Sequence, residues 1–529
     1  MADIIGTTGT DTLIGTSGDD LLRPLGTTVR YTQEILQGLD GADVYDLQRS
    51  STVPIYNFLI DDMGTDGAVD AITNVGALYQ SASLGYSAYA TAVRIGDDLF
   101  IHTPYKPHRF RDPSKPAYDI EIRDQYGDGH IETMQAGGVT YTLVLGAIGT
   151  PGEDIMAGTN LADTFSSGDG DDWVFGNRGK DVLDSGGGAD VVFGGDGRDK
   201  ITSQAGDDIV FGDGGNDKIW SGAGFDRVDG GTGNDRIWAG ADGDWVTAGD
   251  GNDRVFGGAG QDTLIGGFGD DFLVGGREGD NYRFTAGAGD PGWGQDVIAD
   301  RGNKPSYKNT DKIELLDFYG PSSGNSAEAF ARMQFSRDGN DMVLTADDGL
   351  SSIRVEKMFD AKANKHFIEN LELNGAYWSP IVFQILNGDV DAIGDDRDYA
   401  NGGYGGAANE LIFGTDADDM IFGDAGTNFI WTGDGADTVI YKENDSESWF
   451  GYGGGTSNDI IDDFDVTLDR LDFTEIKSVG GVDSLTIGQD ADGDALISWS
   501  SGDYEVSSIR IELRGVLETE VTDDIFLFA

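Results

Sequence analysis

The residues in this chain that are best suited to a chemical role are aspartates that recur every nine residues through positions 150–284. Fifteen of them follow one another without an insertion or a deletion. A carboxylate is a hard oxygen donor, so a regular series of carboxylates is suited to binding hard metal cations. The series, called the Asp ladder below, consists of Asp154, Asp163, Asp172, Asp181, Asp190, Asp199, Asp208, Asp217, Asp226, Asp235, Asp244, Asp253, Asp262, Asp271 and Asp280.

The residues around each aspartate indicate the elements that position it. A large apolar residue stands two positions after each aspartate, and a glycine usually stands two positions before it, as at Gly170 and Gly179. Glycine adopts the positive-φ conformations of tight turns that other residues resist. Each nonapeptide therefore predicts a short strand with an inward apolar side chain, followed by a tight turn. Leu161, Asp242 and Glu278 replace the glycine and mark turns whose geometry is expected to differ.

This unit resembles the nonapeptide G-G-x-G-x-D-x-U-x of the RTX (repeats-in-toxin, haemolysin-type) calcium-binding secreted proteins. The resemblance implies a parallel β-roll in which two nonapeptides make one coil and Ca²⁺ lies in two rows between successive turns. It identifies the Asp ladder as calcium ligands, at roughly one ion per aspartate-bearing turn. Because aligned carboxylates repel one another without the ion, we expect folding of this block to be coupled to calcium.

Two shorter series resemble the same repeat. One lies in residues 3–22, and the other begins at residue 407. Glu410 and Asn428 replace aspartate in the later series, so its sites are expected to be weaker or absent. The two series add four predicted calcium ligands: Asp11, Asp20, Asp419 and Asp437.

Segments of alternating polar and apolar residues follow each series, for example at residues 118–122, and predict antiparallel β caps. We therefore predict an all-β protein of three tandem units, each a parallel β-roll followed by a cap. The predicted boundaries are 1–149 for the first unit, 150–386 for the second with its roll at 150–284, 387–406 for a Gly/Asp-rich linker, and 407–529 for the third unit with a C-terminal cap.

The composition excludes several classes of function. The 529 residues include 95 acidic and 35 basic side chains, a formal net charge of −60, which disfavours binding to nucleic acid. A hydrophobic content of 38% and nine Trp argue against a disordered acidic chain. The absence of cysteine excludes disulfides and zinc–thiolate sites. No apolar run is long enough to predict insertion into a membrane.

The residues at the two chain ends indicate how the protein could be exported. The first residues lack the charged and apolar regions of a cleavable secretory signal. The last residues, an acidic pair at Asp523 and Asp524 followed by an apolar run, resemble type I secretion substrates, although an ordinary final strand is the alternative. The family resemblance implies export through a type I secretion apparatus and folding in extracellular calcium. Because the repeats begin within the first dozen residues, we expect a member without a recognisable effector domain.

Two outward-facing stripes on the long roll are candidate interfaces. The apolar stripe consists of Trp173, Phe175, Phe193 and Phe211. The basic–aromatic stripe consists of Lys218, Trp220, Arg236, Trp238, Arg254 and Phe256. A cap of the same chain could cover these stripes, or they could contact another copy of the chain or an anionic polysaccharide.

Two smaller features carry weaker predictions. The spacing of Asp490, Asp492 and Asp494 is similar to that of a calcium-binding EF-hand loop, but Ser501 stands where such a loop has Glu, so an Asp-rich turn is favoured. The basic, Pro-rich segment 103–116 is either a contact arm or a simple hairpin insertion.

No nucleophile with a base and an orienting group can be assembled from the four scattered histidines, so we expect no enzyme. The sequence favours a secreted calcium-binding structural protein that self-assembles or adheres at the cell surface. A carbohydrate-binding module that uses the basic–aromatic stripe is the alternative, and a secreted enzyme with a site in a cap is a weaker one.

Overall fold

The computed structural model describes residues 147–285 without interruption and other parts of the chain in segments. The described segments before residue 147 are 2–5, 12–14, 20–23, 33–38, 44–46, 56–62, 71–75, 79–81, 87–89, 91–95, 98–103, 118–123, 133–136 and 139–144. Those after residue 285 are 293–299, 311–316, 333–338, 341–346, 351–358, 368, 370–374, 381–387, 409–414, 418–422, 426–442, 456–476, 479–491, 493–500 and 508–528.

The chain divides into two compact units, Met1–Phe272 and Leu273–Ala529. The strands that precede the long roll in the first unit are β1 Ala2–Ile5, β2 Thr12–Ile14, β3 Asp20–Arg23, β4 Gln33–Gly38, β5 Val44–Asp46, β6 Tyr56–Asp62, β7 Ala71–Val75, β8 Tyr79–Ser81, β9 Ser87–Tyr89, β10 Thr91–Ile95, β11 Asp98–Thr103, β12 Tyr118–Arg123, β13 Thr133–Ala136 and β14 Val139–Leu143. The strands of the long roll in this unit are β15 Asp154–Ala157, β16 Thr164–Ser166, β17 Trp173–Phe175, β18 Arg178–Gly179, β19 Val182–Asp184, β20 Val191–Gly197, β21 Lys200–Thr202, β22 Ile209–Gly215, β23 Lys218–Ala223, β24 Arg227–Thr232, β25 Arg236–Ala241, β26 Trp245–Asp250, β27 Arg254–Ala259 and β28 Thr263–Phe268.

One further strand, β29 Phe272–Arg277, begins at the last residue of the first unit. The remaining strands, all in the second unit, are β30 Asn281–Thr285, β31 Gln295–Ile298, β32 Lys312–Leu316, β33 Met333–Asp338, β34 Asp341–Ala346, β35 Ser352–Val355, β36 Asn370–Asn374, β37 Ile381–Asn387, β38 Asn409–Phe413, β39 Met420–Phe422, β40 Gly426–Trp431, β41 Thr438–Lys442, β42 Thr456–Ile461, β43 Arg470–Glu475, β44 Thr486–Gln489, β45 Ala495–Ser500, β46 Ser508–Leu513 and β47 Phe526–Leu527.

Two parallel sheets form the long roll. In one sheet, strands pair across a shift of 18 residues, so that Val192 lies opposite Val210. The other sheet shows the same shift, with Ile201 opposite Ile219. Two nonapeptides therefore make one coil, and the parallel β-roll predicted from the sequence is confirmed.

The interior of the roll is a thin apolar core. Of the fifteen apolar residues two positions after the ladder aspartates, fourteen are buried, and Phe165 in the first coil is half-buried. The inward residue changes little from coil to coil, as at Val210, Val228 and Val246, so the side chains stack in columns. Each coil of two nonapeptides buries only two such side chains. The apolar area buried per ordered residue is therefore small.

The turns bring successive coils very close together. A Cβ placed on Gly215, whose φ is 139°, would lie 1.4 Å from the carbonyl oxygen of Gly197 in the preceding coil. Asp242 and Glu278 occupy the equivalent turn position with a φ of 74° each. The roll therefore forces these two residues into the left-handed region that glycine adopts more easily.

Antiparallel strands adjoin the rolls. In the first unit β10, β11 and β12 pair antiparallel, and the β13–β14 hairpin leads into β15. In the second unit the β36–β37 hairpin leads into the parallel strands β38, β40 and β42, and β46 pairs antiparallel with β45. The division into three roll-plus-cap units remains a prediction.

Helical structure is sparse in the described residues. It consists of the short 3-10 helices Val482–Ser484, Glu518–Glu520 and Asp523–Ile525. None of the helices found there could reach across a bilayer. Several predictions fall outside the described residues: Asp11, Asp492, most of the segment 103–116 and all but the first residue of the linker 387–406.

Candidate calcium sites

The fold arranges the Asp ladder in two columns. In the first unit, column A contains Asp154, Asp172, Asp190, Asp208, Asp226, Asp244 and Asp262, and column B contains Asp163, Asp181, Asp199, Asp217, Asp235, Asp253 and Asp271. Successive members are 18 residues apart and lie in neighbouring coils. Except for Asp163, which is half-buried, each of these side chains is at most 3% exposed. Aspartate is rarely buried so completely without a compensating partner.

A repeated hydrogen bond holds one oxygen of each carboxylate. The backbone N–H of each aspartate donates to Oδ1 of the aspartate in the next coil, as from Asp199 to Asp217 at 2.7 Å and from Asp208 to Asp226 at 2.9 Å. The same bond recurs along both columns at 2.7–2.9 Å. It holds Oδ1 of the accepting carboxyl groups, from Asp172 onward in column A and from Asp181 onward in column B.

The second oxygen, Oδ2, is buried in ten consecutive aspartates and accepts no hydrogen bond in the described residues, although a serine hydroxyl lies beside the carboxyls of Asp172, Asp190, Asp208 and Asp226 and lowers their pKa. These are Asp172, Asp181, Asp190, Asp199, Asp208, Asp217, Asp226, Asp235, Asp244 and Asp253. A buried carboxylate oxygen without a partner costs several kcal/mol, on the order of the desolvation of an ion. A column of such oxygens is stable as an anion only if a cation compensates it.

In column B, a backbone carbonyl approaches the same point as Oδ2 of Asp181, Asp199, Asp217 and Asp235. A Cβ placed on Gly176 would lie 2.9 Å from Oδ2 of Asp181 and 2.4 Å from the carbonyl oxygen of Gly194 in the next coil. The same pair of oxygens meets at Gly212, 3.0 Å from Oδ2 of Asp217. These sites therefore offer carboxylate and carbonyl oxygens, the donor type that Ca²⁺ prefers. The residues present fit calcium.

The pKa values of the ladder carboxyls are strongly shifted by their surroundings. Burial raises the pKa of Asp181 and Asp217 to about 7, although the hydrogen bond from the preceding coil opposes the shift. Burial, together with the negative charges of its column neighbours, raises the pKa of Asp208 and Asp244 to about 8. A bound cation would favour the ionised form instead, so calcium and protons compete for these groups.

The outer predicted ligands are less uniform. Asp280, in the second unit, is buried and its N–H donates to Oδ1 of Asp311 at 2.7 Å. In the third series Asp419 is 8% exposed and Asp437 is fully buried, and their N–H to Oδ1 bond of 2.8 Å repeats the ladder geometry. Asp20 lies on β3, but its side chain is outside the described residues, like that of Asp11.

The sequence prediction of ligands missed residues that extend the columns across insertions. Asp311 follows Asp280 after 31 residues, and Asp469 follows Asp437 after 32 residues and accepts its N–H on Oδ1 at 3.0 Å. Both are buried. The signal was present as an acidic residue two positions before a buried apolar one, but the interrupted spacing hid it.

The apolar stripe is only partly at the surface. Trp173 and Phe175 are buried, at 6% and 4% exposure, and β10 lies against their strand β17. For these two residues the chain itself covers the stripe, which is the first of the two alternatives that the sequence left open. Phe193 and Phe211 further along are half-buried and stack at 4.8 Å between ring centroids.

The basic–aromatic stripe lies on the opposite sheet of the roll. Lys218, Arg236 and Arg254 are exposed, while Trp220, Trp238 and Phe256 are half-buried between them. The two tryptophan rings stack at 4.7 Å with an interplanar angle of 2°, and Phe256 continues the stack at 5.7 Å.

Comparison with known proteins agrees with this geometry. The family model for the RTX calcium-binding nonapeptide repeat matches residues 4–23, 148–183, 157–192, 184–219, 211–246, 220–255, 247–282 and 404–439. No curated protein matches the chain. Among solved structures, the crystal structure of the extracellular lipase LipA from Serratia marcescens aligns with 17% identity and a TM-score of 0.15 over 58% of this chain and 40% of the lipase chain. The chain therefore contains RTX calcium-binding nonapeptide repeats in all three predicted series.

Proposed function

We propose that this chain is a secreted structural protein that folds on extracellular Ca²⁺ and then associates with further copies of itself at the cell surface, as a layer, matrix or filament. RTX repeat proteins bind calcium and are typically secreted. The association is the further step, and it rests on one observation: a column of exposed cations on the roll of a very acidic chain.

The cations lie in strict register. Lys200 pairs with Lys218, Lys218 with Arg236, and Arg236 with Arg254 in adjacent parallel strands. Adjacent strands are about 4.8 Å apart, so four like charges repel one another along the column. An acidic partner would relieve this repulsion, and it would also speed encounter between the two surfaces.

The same chain supplies a complementary surface. Its C-terminal turns expose Glu518, Glu520, Asp523 and Asp524. A contact between the cation column of one copy and the acidic turns of another would join two different surfaces. Such head-to-tail contacts build rings or open filaments rather than closed dimers. This charge complementarity favours another copy of the chain as the partner.

The geometry gives less support to a carbohydrate-binding role. Trp220 is covered on one side by the Trp238 ring and on the other by Lys200, whose Nζ lies 5.6 Å from the ring centroid. Sugar rings stack on open aromatic faces, whereas this column presents ring edges to the solvent. The stacked rings therefore support the roll itself, and the proposed role requires no catalytic site.

Electron microscopy and light scattering with millimolar calcium and with chelator test the proposal. We expect calcium-dependent polymers, and we expect Lys218→Glu with Arg236→Glu to abolish them while calcium binding persists. A second variant with Glu518→Lys, Glu520→Lys and Asp523→Lys should restore polymers when mixed with the first. Monomers at all calcium concentrations would contradict the proposal. Retention on an anionic polysaccharide that is lost in Trp220→Ala with Trp238→Ala would favour the carbohydrate alternative.

A further inference from the structure

The first aspartate of each column differs from those that follow. Oδ2 of Asp154 accepts a hydrogen bond from the backbone N–H of Thr150 at 2.5 Å, and Oδ1 accepts one from the Thr150 hydroxyl at 2.9 Å. Oδ2 of Asp163 accepts bonds from the N–H and the hydroxyl of Thr159 at 2.7 and 3.0 Å. The oxygen that accepts no hydrogen bond in the later coils is therefore already bonded here.

The backbone conformation four residues before each aspartate explains this difference. In all thirteen later repeats of the ladder that residue has a positive φ, from Gly168 to Gly276, even where it is Asn177, Gln204 or Asp213. Thr150 and Thr159 are not in this conformation. Threonine is β-branched and resists the left-handed region. The turn therefore points its N–H at the carboxylate of the same repeat.

The same arrangement recurs at the other end of a column. Asp469 follows Asp437 and is the last of its column in the described residues. Its Oδ2 accepts the N–H of Asp465, four residues before it, at 2.8 Å and the hydroxyl of Thr432 at 3.2 Å. By contrast, Oδ2 of Asp437 is buried and receives no hydrogen bond. Capping by an N–H group is thus seen at Asp154 and Asp163, where the two long columns start, and at Asp469, which follows Asp437 in the third series.

We infer that Thr150 and Thr159 cap the N-terminal end of the calcium ladder, so that Asp154 and Asp163 hold turns through protein hydrogen bonds and bind no calcium. The N–H directed at each Oδ2 carries a partial positive charge, which substitutes for the cation and repels it. The first calcium-binding turns are then those of Asp172 and Asp181. This assignment replaces the sequence prediction for Asp154 and Asp163 and does not depend on self-assembly.

A consequence concerns how the roll starts. The first coil satisfies its carboxylates without metal, and its aspartate N–H groups donate to Oδ1 of Asp172 and Asp181. It therefore presents a preformed edge on which the first calcium-dependent coil can pair. The threonine caps set the number of ions that the roll takes up and the coil from which it grows.

The test counts calcium bound to the full chain, by atomic absorption after desalting and by titration calorimetry. Asp163→Asn should leave the count unchanged, whereas Asp217→Asn, in the middle of the same column, should lower it by about one ion. Asparagine keeps an oxygen that can accept the existing N–H bond but removes the second carboxylate oxygen. Far-ultraviolet circular dichroism at saturating calcium checks that each variant is folded.

A gain of calcium provides the complementary test. Thr150→Gly with Thr159→Gly gives the first coil the glycine that most later repeats carry at this position, and it should raise the count by about one ion per converted turn. Such a gain cannot come from unfolding. Loss of as much calcium in Asp163→Asn as in Asp217→Asn, or an unchanged count in the double glycine variant, would overturn the inference.

Discussion

The long roll at 150–284 and the short roll that begins at residue 407 repeat the same nonapeptide, but different forces hold them together. The long roll has an inward column of single aliphatic residues and buried carboxylate oxygens that accept no hydrogen bond. The short roll shares a core with its cap, in which Tyr441, Phe473 and Trp499 pack with Ile430 and Ile511. Apolar burial stabilises the short roll, whereas the long roll depends on bound ions for its stability.

The polar contacts of the two rolls also differ, because carboxylates in the short roll are satisfied by protein hydrogen bonds. In the short roll Asn428 stands in place of an aspartate, and its side-chain amide donates to Asp459 at 2.9 Å. Thr432 donates its N–H to Asp463 at 2.7 Å, and Asp469 is capped as described above. Asp437 retains the features of the ladder, and burial raises its pKa to about 7. An irregular repeat thus replaces metal ligation with direct hydrogen bonds.

The largest effect is expected from removing three adjacent ligands of the long roll. Asp199→Asn, Asp217→Asn and Asp235→Asn together take a charged oxygen from three successive coils of column B. We expect at least about three fewer bound ions and loss of most of the calcium-induced β signal, because folding of this roll is coupled to the metal. Calcium counting and circular dichroism measure both effects.

The control for this triple variant is Asp250→Asn, an exposed aspartate on the same roll outside both columns. It should leave both readouts unchanged. Equal losses in the control and the triple variant would show that overall charge, and not the ladder, governs folding.

A change of pH should partly replace calcium in the long roll. Burial raises the pKa of Asp190 to about 6, of Asp181 to about 7 and of Asp208 to about 8, above the usual 3.8. The folded, calcium-free roll therefore holds protons that the unfolded chain has lost. Its stability is greatest below about pH 4 and is lost as the pH rises through about 6 to 8.

In chelator, lowering the pH from 8 to 5 should therefore restore β structure in the long roll, and calcium affinity should fall over the same range. Circular dichroism and calorimetry across this range measure the two changes. The short roll should respond less, since it has fewer such carboxyls. A calcium-free long roll that gains structure as the pH rises would contradict this part of the account.

Single core substitutions should also distinguish the two rolls, through smaller changes in the free energy of unfolding. Phe473→Ala removes a fully buried ring from the short roll and should cost about 3–5 kcal/mol, with or without calcium. Ile237→Ala, equally buried in the long roll, should cost about 2–5 kcal/mol with calcium. It should have no measurable effect in chelator, where this roll is already unfolded. Denaturant unfolding followed region by region by hydrogen exchange measures both.

The smallest effect is expected from the aromatic stack. Trp238→Leu keeps apolar area but removes stacking on two neighbours, and it should destabilise the calcium-loaded roll by about 0.5–1.5 kcal/mol. Thr247→Ala, a half-buried outward residue of the next nonapeptide on the other sheet, is the matched control and should cost less. A larger loss in the control would mean that stacking contributes little.

The roll could be predicted from the sequence because its nine-residue repeat matches the spacing of the buried positions. The nine-residue return of Asp, the inward residue two positions later and the turn glycines all specify one register, and the 18-residue pairing follows from it. The three residues that replace the turn glycine were expected to change the turn geometry. Asp242 and Glu278 nevertheless keep a positive φ, as the glycines at this position do, whereas Leu161 does not.

The remainder of the site depends on contacts that spacing does not encode. Whether Oδ2 of a given aspartate is open depends on the conformation of a residue four positions earlier, which distinguishes Thr150 from Gln204 although neither is glycine. Likewise, Trp173 repeats the outward pattern of its stripe but is covered by β10, a strand some 80 residues away in sequence. The first case depends on local backbone conformation and the second on long-range packing, and the nine-residue spacing encodes neither.

Hydrogen exchange with mass spectrometry on the full chain, with calcium and with chelator, tests the central claim most directly. Peptides from residues 172–271 should be protected in calcium and should exchange freely in chelator, while peptides from residues 456–528 should keep most of their protection in both. Loss of protection in both regions together, or retention in both after chelation, would contradict the claim that ions hold the long roll and an apolar core holds the short one.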